Sequence, residues 1–148
     1  MNIRTCGVDT FDWGVEYLIV DWIDESISKI VASGKIYGDF EDEDFQKRLK
    51  KLLKLFKVDV TAVDSGGHKT QYIYDFCKKY KKVFAIKGVY PDSDKIIQRK
   101  SRVKNGIDLY MVVFRNAKRK IVDMNIAKFE TNDIVALAII AKEIKGIK

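Results

Sequence analysis

The apolar pattern changes period about a third of the way along the chain, and the change divides it into two kinds of element. Residues 3–11 read as a strand ending at Asp9 or just past it. Residues 15–23, VEYLIVDWI, are rich in β-branched and aromatic side chains and predict a second strand; residues 26–37 predict a third. The short links Asp12-Trp13-Gly14 and Asp24-Glu25 suit antiparallel hairpins. From Asp44 to Lys57 the apolar positions are Phe45, Leu49, Leu52, Leu53 and Phe56, which is helical spacing. Acids at Glu41, Asp42, Glu43 and Asp44 precede this helix and lysines follow along it, an order that complements the helix dipole.

The remainder alternates. Val58 to Val63 is a short apolar strand closing on Asp64, followed by a Gly-Gly turn and a helix from about His68 to Tyr80. Its core face is predicted at Tyr72 or Ile73, Phe76, Cys77 and Tyr80. Val83 to Ile86 is a short apolar run of the kind a buried parallel strand shows. Residues 88–105 are polar and basic and read as a loop, 107–114 as a further strand, and 115–122 as a short basic helix. The last helix, from about Asn132 to Ile144, is apolar almost all round and therefore buried. Three antiparallel strands, then alternating helix and strand, then a closing helix favour one α/β domain. The expected sheet is mixed, with five or six strands and helices on both faces. This order resembles that of the ribonuclease H-like fold.

Composition narrows the partners. The chain has 148 residues, enough for one domain with a real core. A net charge of +7 makes a polyanion the natural partner class, although a basic surface also serves solubility. No apolar run approaches a membrane span, and the start of the chain reads as a strand and not a signal peptide. Cys6 and Cys77 lie in apolar segments without metal-ligand spacing and read as buried reduced thiols, as in a cytoplasmic protein.

Asp9 and Asp64 each end an apolar strand. On neighbouring strands the two carboxylates would emerge together, an unfavourable pairing unless a cation neutralises it. Mg²⁺ or Mn²⁺ suits such an all-oxygen site, and a pair of ions activates water and stabilises a leaving oxygen without any His or Cys. Taken singly, each aspartate is equally well explained as a turn former, and Asp-Ser-Gly-Gly is strong turn chemistry. A third acid is expected at Asp133, in the first turn of the buried helix, with Glu130 and Asp123 as competitors; acids also favour helix starts for dipole reasons alone. Asp12 is an auxiliary candidate from the first hairpin. His68, the single histidine, is a candidate to orient water, contact phosphate or fix Asp64, or is simply a helix-start residue.

The segment AVDSGGHKTQYIYDFCKKYKKVFAIKGV, Ala62 to Val89, resembles the nuclease region of phage terminase large subunits of the lambda-like packaging type. CGVDTFDWGVEYLIVDW, Cys6 to Trp22, resembles that family's first two strands, and Asn132-Asp133 followed by IVALAIIA resembles its late acid and apolar helix. The resemblance implies a Mg²⁺- or Mn²⁺-dependent endonuclease with two ions that cuts concatemeric double-stranded DNA during packaging. Asp9, Asp64 and Asp133 would be its metal ligands and catalytic residues. It implies as partners the terminase ATPase domain, the small subunit and the portal, with no membrane, in the cytoplasm of a phage-infected or prophage-bearing bacterium. The link between Phe114 and Asp133 is shorter than is usual in that family. The chain carries no Gly-rich Lys-Ser/Thr phosphate loop, so residues 1–148 read as a single nuclease domain with the ATPase motor domain absent.

The basic run Lys87, Lys95, Arg99, Lys100, Arg102 and Lys104 reads as a phosphate track beside the site, or as a solvated loop. A second cluster at Arg115, Lys118, Arg119 and Lys120 ranks below it. Two other functions fit the same pattern: a junction resolvase on the same fold, and a DNA-binding or docking domain without catalysis.

Overall fold

The computed structural model describes residues 2–24, 27–67, 69–103, 106–120 and 133–147. Among these the chain runs β1 (Ile3–Phe11), β2 (Gly14–Trp22), β3 (Ser28–Tyr37), α1 (Glu43–Leu55), β4 (Val60–Asp64), α2 (Thr70–Lys79), β5 (Val83–Gly88), β6 (Ile97–Arg102), β7 (Asp108–Val112), α3 (Phe114–Arg119) and α4 (Asp133–Ile147). The strands form one sheet in the order β3-β2-β1-β4-β5-β7-β6. The first three are antiparallel; β1, β4, β5 and β7 are parallel; β6 returns antiparallel to β7.

The sheet therefore has seven strands, not five or six, and the addition is β6, within the segment that reads as a polar loop. Its sequence, IQRKSR, hides the strand because β6 is an edge. It pairs on one side only, buries little, and carries charges of the kind that discourage further strands from adding. At the helix starts the acid run acts as its sequence suggests: Asp42 caps α1, its carboxylate accepting the Asp44 N–H at 3.0 Å.

Strand alternation sends side chains to two cores. Leu18, Val20, Trp22, Val60, Ala62, Ile86 and Tyr110 pack against α4 on one face. Cys6, Val8, Ile19, Val63 and Ala85 pack on the other with Phe45 and Leu49 of α1 and Ile73, Phe76 and Cys77 of α2. Tyr72, an alternative to Ile73 in the sequence pattern, points outward. Both cysteines are buried and free, and burial pushes the Cys77 thiol up to about 12.

Helix α4 packs closely on the sheet where it crosses β1. A Cβ added to Gly7 would lie 2.5 Å from the Ile134 carbonyl oxygen, 2.7 Å from the Ala138 nitrogen and 2.8 Å from the Leu137 Cβ. One step away, the buried Thr5 hydroxyl donates to the Ala138 carbonyl at 2.9 Å and accepts the Trp22 indole N–H at 2.9 Å. Thr5 faces Ala138 while Gly7 faces Ile134, so α4 runs antiparallel to β1 and its first turn lies over the end of that strand. Among the described residues no helix is long and apolar enough to cross a membrane.

Because the atoms facing Gly7 are backbone and Cβ, they have little freedom to retreat. Gly7→Ala is expected to destabilise the fold by about 1–3 kcal/mol, the usual range for overpacking. Gly67→Ala, at a position with no atom within 4 Å of an added Cβ, should be close to neutral. Urea unfolding of the two variants checks the contrast.

Candidate functional site

Asp9 and Asp64 lie where the strand pattern predicts. The β1–β4 pairing ends at Val8 opposite Val63, so the next residues, Asp9 and Asp64, leave neighbouring parallel strands side by side. Val60 and Ala62 face α4, and so does Asp64; Thr5 and Gly7 face α4, and so does Asp9. Both carboxylates thus rise on the α4 face, beneath that helix's N-terminus.

The turn after β4 is held from several directions. The Ser65 N–H and hydroxyl both donate to the Ile86 carbonyl, at 2.8 and 2.9 Å. The Thr70 hydroxyl contacts the carbonyls of Ser65 and Gly67 at 2.7 and 2.8 Å, and the Thr10 hydroxyl donates to the Asp64 carbonyl at 3.0 Å. One Asp64 carboxylate oxygen accepts the Gly66 N–H at 3.0 Å. The turn-forming role considered for Asp64 is therefore real, and it occupies one oxygen.

Asp133 opens α4, as its place in the sequence suggests, and its charge reaches both other aspartates. Its carboxylate is ion-paired to Lys118 of α3 at 2.5 Å. Lys118 belongs to the basic cluster that ranks second in the sequence, and the structure gives that cluster a direct contact with the site.

A fourth acid, Glu16, escapes the sequence reading. The β1–β2 register sets Asp9 directly opposite Glu16, so the two side chains share a face. The signal was present: a two-residue turn at Asp12-Trp13 fixes the register, and counting back from it pairs 9 with 16.

Burial is the main cause that lifts the Asp9 carboxyl to about 6, followed by the charges of Asp64, Asp133 and Glu16. Asp64 is raised as well, first by burial, with Asp133 adding to it and the Gly66 N–H opposing it. Carboxylates that resist ionisation beside one another form a site that a hard cation would relieve. The donors are all oxygen, which fits Mg²⁺ or Mn²⁺. As the side chains stand, no three of them among the described residues are gathered closely enough to hold an ion.

The other predicted site residues are dispersed. Asp12 sits in the hairpin turn and lines a small recess with Asp39 and Lys69, whose ammonium is paired to Asp39 at 2.9 Å. His68, Lys104, Asp123 and Glu130 lie outside the described residues. The basic run is not a loop beside the carboxylates. Lys87 alternates with Val83 and Ala85 and lies on the face opposite Asp9 and Asp64. Arg99 pairs in register with Met111, which also packs on that opposite face. Lys100 and Arg102 are ion-paired to Asp108 at 3.9 and 3.5 Å, at the starting end of β7 and so at the far end of the parallel strands. Strand β6 stands three strands from β4, about 14 Å at the usual spacing. Lys95, just before β6, is exposed near the end of the sheet that carries the site. Pairing is the reason for the dispersal: once 97–102 becomes a strand, its side chains alternate between faces.

Between about pH 4 and pH 6 the folded protein keeps a proton on Asp9 that the unfolded chain releases, so metal-free stability falls as pH rises through that window. A shift from 3.8 to about 6 is worth about 3 kcal/mol at full strength, and partial solvent access lowers it to on the order of 1–2 kcal/mol. Asp9→Asn is therefore expected to stabilise the metal-free protein by that amount at pH 7 and to leave it nearly unchanged at pH 4. Denaturant unfolding in a chelator at the two pH values measures the difference.

Comparison with solved structures places the fold. Thermus thermophilus RuvC matches with a TM-score of 0.56 at 11% identity, over 98% of this chain and 96% of that one. The same organism's RuvC in complex with a Holliday junction substrate gives 0.54 at 10% identity, over 97% and 96%. A Fowlpox virus resolvase with its substrate Holliday junction DNA gives 0.52 at 15%, over 98% and 99%. These likenesses establish a ribonuclease H-like fold. No curated protein matches the chain by sequence. The model of the terminase large subunit gpA, endonuclease domain, matches residues 2–135. With that match spanning nearly the whole chain, on a ribonuclease H-like sheet, the protein belongs to the terminase large subunit gpA endonuclease domain family.

Proposed function

We propose that this domain hydrolyses DNA phosphodiesters with two Mg²⁺ or Mn²⁺ ions held by Asp9, Asp64 and Asp133, and that it serves to cut concatemeric phage DNA during packaging. The observation that carries this reading is the shared face of Asp9 and Asp64 at the ends of adjacent parallel strands, with the Asp9 carboxyl already lifted, first by burial and then by its acidic neighbours. The ions, when bound, would activate water and stabilise the leaving oxygen.

The chain's own residues supply position and charge. Strands β1 and β4 fix two carboxylates on rigid backbone, and the hydrogen-bonded turn from Asp64 to Thr70 keeps the second from swinging away. Glu16, across from Asp9, adds a fourth acid to the field without leaving the sheet. Lys118 holds Asp133 and sets a positive charge at the rim, where a substrate phosphate would lie. The double-stranded DNA substrate meets a further cation at Lys95, exposed near the same end of the sheet, in a phosphate contact that carries no sequence information. Family membership supports the ATPase domain, the small subunit and the portal as partners, and the cytoplasm of an infected or prophage-bearing bacterium as the place of action.

Plasmid nicking in Mn²⁺ and in Mg²⁺ is the direct test. Asp9→Asn and Asp64→Asn should each lose about 100-fold or more in rate, on the order of 3 kcal/mol of barrier. Asp133→Asn should also lose activity. Parent-like cutting by both of the first two variants would overturn the assignment. A preference for four-way branched over linear DNA would instead favour a junction resolvase, and salt-sensitive binding without cleavage under any divalent ion a docking domain.

Lys118 gives a further check on the geometry. Lys118→Met removes the pair that holds Asp133 and a charge facing substrate, so DNA affinity should fall and the salt slope should become shallower by about one unit. Fluorescence anisotropy over a salt series measures it.

A further inference from the structure

Two residues past Asp9, β1 ends in an aromatic cluster that the fold does not bury. Phe11 is 42% exposed, Trp13 37% and Tyr37 64%. The Phe11 and Trp13 rings are stacked, 5.0 Å apart between centroids and 5° from parallel. Trp13 also meets Tyr37 at 5.2 Å, and the Lys35 ammonium lies 5.3 Å from the Trp13 ring centroid. Core packing does not account for three large rings held in contact at the surface.

The cluster is built into the sheet. Phe11 and Tyr37 flank Gly14 in register on its two neighbouring strands, and the Gly38 N–H donates to the Trp13 carbonyl at 3.0 Å. Gly14, at φ +148°, admits this arrangement; a Cβ there would stand 2.1 Å from the Ile36 carbonyl oxygen. The rings are therefore held in place before any ligand arrives. Phe11 follows Asp9 by two residues on one strand and so shares its face, roughly 7 Å further along. That distance is about two nucleotide steps of a DNA strand.

We propose that Phe11, Trp13 and Tyr37, with Lys35, form a stacking platform for an unpaired nucleobase of the strand whose phosphodiester lies at Asp9. The proposal rests on the nuclease reading above. Exposed aromatic faces take the π face of any base, and a base inside an intact duplex has no free face to offer. The lysine over Trp13 supplies charge for the adjoining phosphate, in a chain of net charge +7. The domain accordingly engages frayed, nicked or locally opened DNA more tightly than continuous duplex.

The test uses fluorescein-labelled oligonucleotides in a chelator, so that binding is read without cleavage: a single strand, a forked duplex, a blunt duplex, and a single strand with consecutive abasic spacers. Trp22 is buried, so quenching of tryptophan emission reports Trp13. The single strand and the fork should quench that emission. By anisotropy they should bind about tenfold more tightly than the abasic strand, a margin typical of base stacking on an aromatic ring. Trp13→Leu, and independently Phe11→Leu, should erase the difference between normal and abasic strands, with far-UV circular dichroism unchanged. Asp9→Asn should keep it, which separates this platform from the metal reading: loss of cutting with retained stacking leaves the platform standing. Equal binding of normal and abasic strands by the parent would overturn the proposal. So would a Trp13→Leu variant that keeps the difference, or one whose only change is loss of concentration-dependent self-association in sedimentation, which would make the cluster an interface between copies of the chain.

Discussion

The contact on which the rest of the structure depends is the crossing of α4 over β1 at Gly7. With no side chain there, the helix backbone comes down onto the strand, and the buried Thr5 hydroxyl locks the crossing by bonding to both Ala138 and Trp22. Two consequences follow from that one approach. The long apolar segment from Ile134 to Ala141 is buried on the sheet, which supplies much of one core. The direction of the helix also carries its first residue, Asp133, to the end of β1, where Asp9 emerges. Stability and site assembly thus share a cause, and any change that lifts the helix would disturb both.

At the site the folding energy is spent against electrostatics. Asp9, Glu16, Asp64 and Asp133 bring four carboxylates to one face, and burial together with these neighbours makes Asp9 hold its proton more strongly. The opposing arrangements are local: a backbone N–H for Asp64, an ammonium for Asp133, and the positive end of α4 above them. A face of this kind is costly to keep without a positive partner, and a bound cation would relieve it. The aromatic cluster beyond Asp9 continues the same strand. A single stretch from Asp9 to Trp13 therefore presents charge and then flat apolar surface, the two features a nucleic-acid strand also alternates.

Much of this was legible beforehand. Hydrophobic alternation in β1 and β2 and the helical spacing of Phe45, Leu49 and Leu53 are local signals, and local signals survive in a linear text. The positions of Asp9 and Asp64 were legible for the same reason, since each closes an apolar strand. β6 was not, because an edge strand is half unpaired and its residues, IQRKSR, obey solvent more than the sheet. The basic run was misplaced as a consequence: counted along the chain it stands near the site, yet the strand it forms lies at the far edge of the sheet and splits its charges between two faces. Glu16 was missed because its partner lies across a hairpin, not along the strand.

The sequence by itself determined the type of every element but β6, the mixed α/β class, the basic character and two of the acids, since propensity, period and turn chemistry act over a few residues at a time. Only the tertiary structure decided which acids meet, that Lys118 and not the run at 95–102 reaches Asp133, and that Phe11, Trp13 and Tyr37 form one surface. Those outcomes depend on strand order, register and the depth to which a helix settles on a glycine. Such quantities are set by long-range packing and have no counterpart in any short window of the chain.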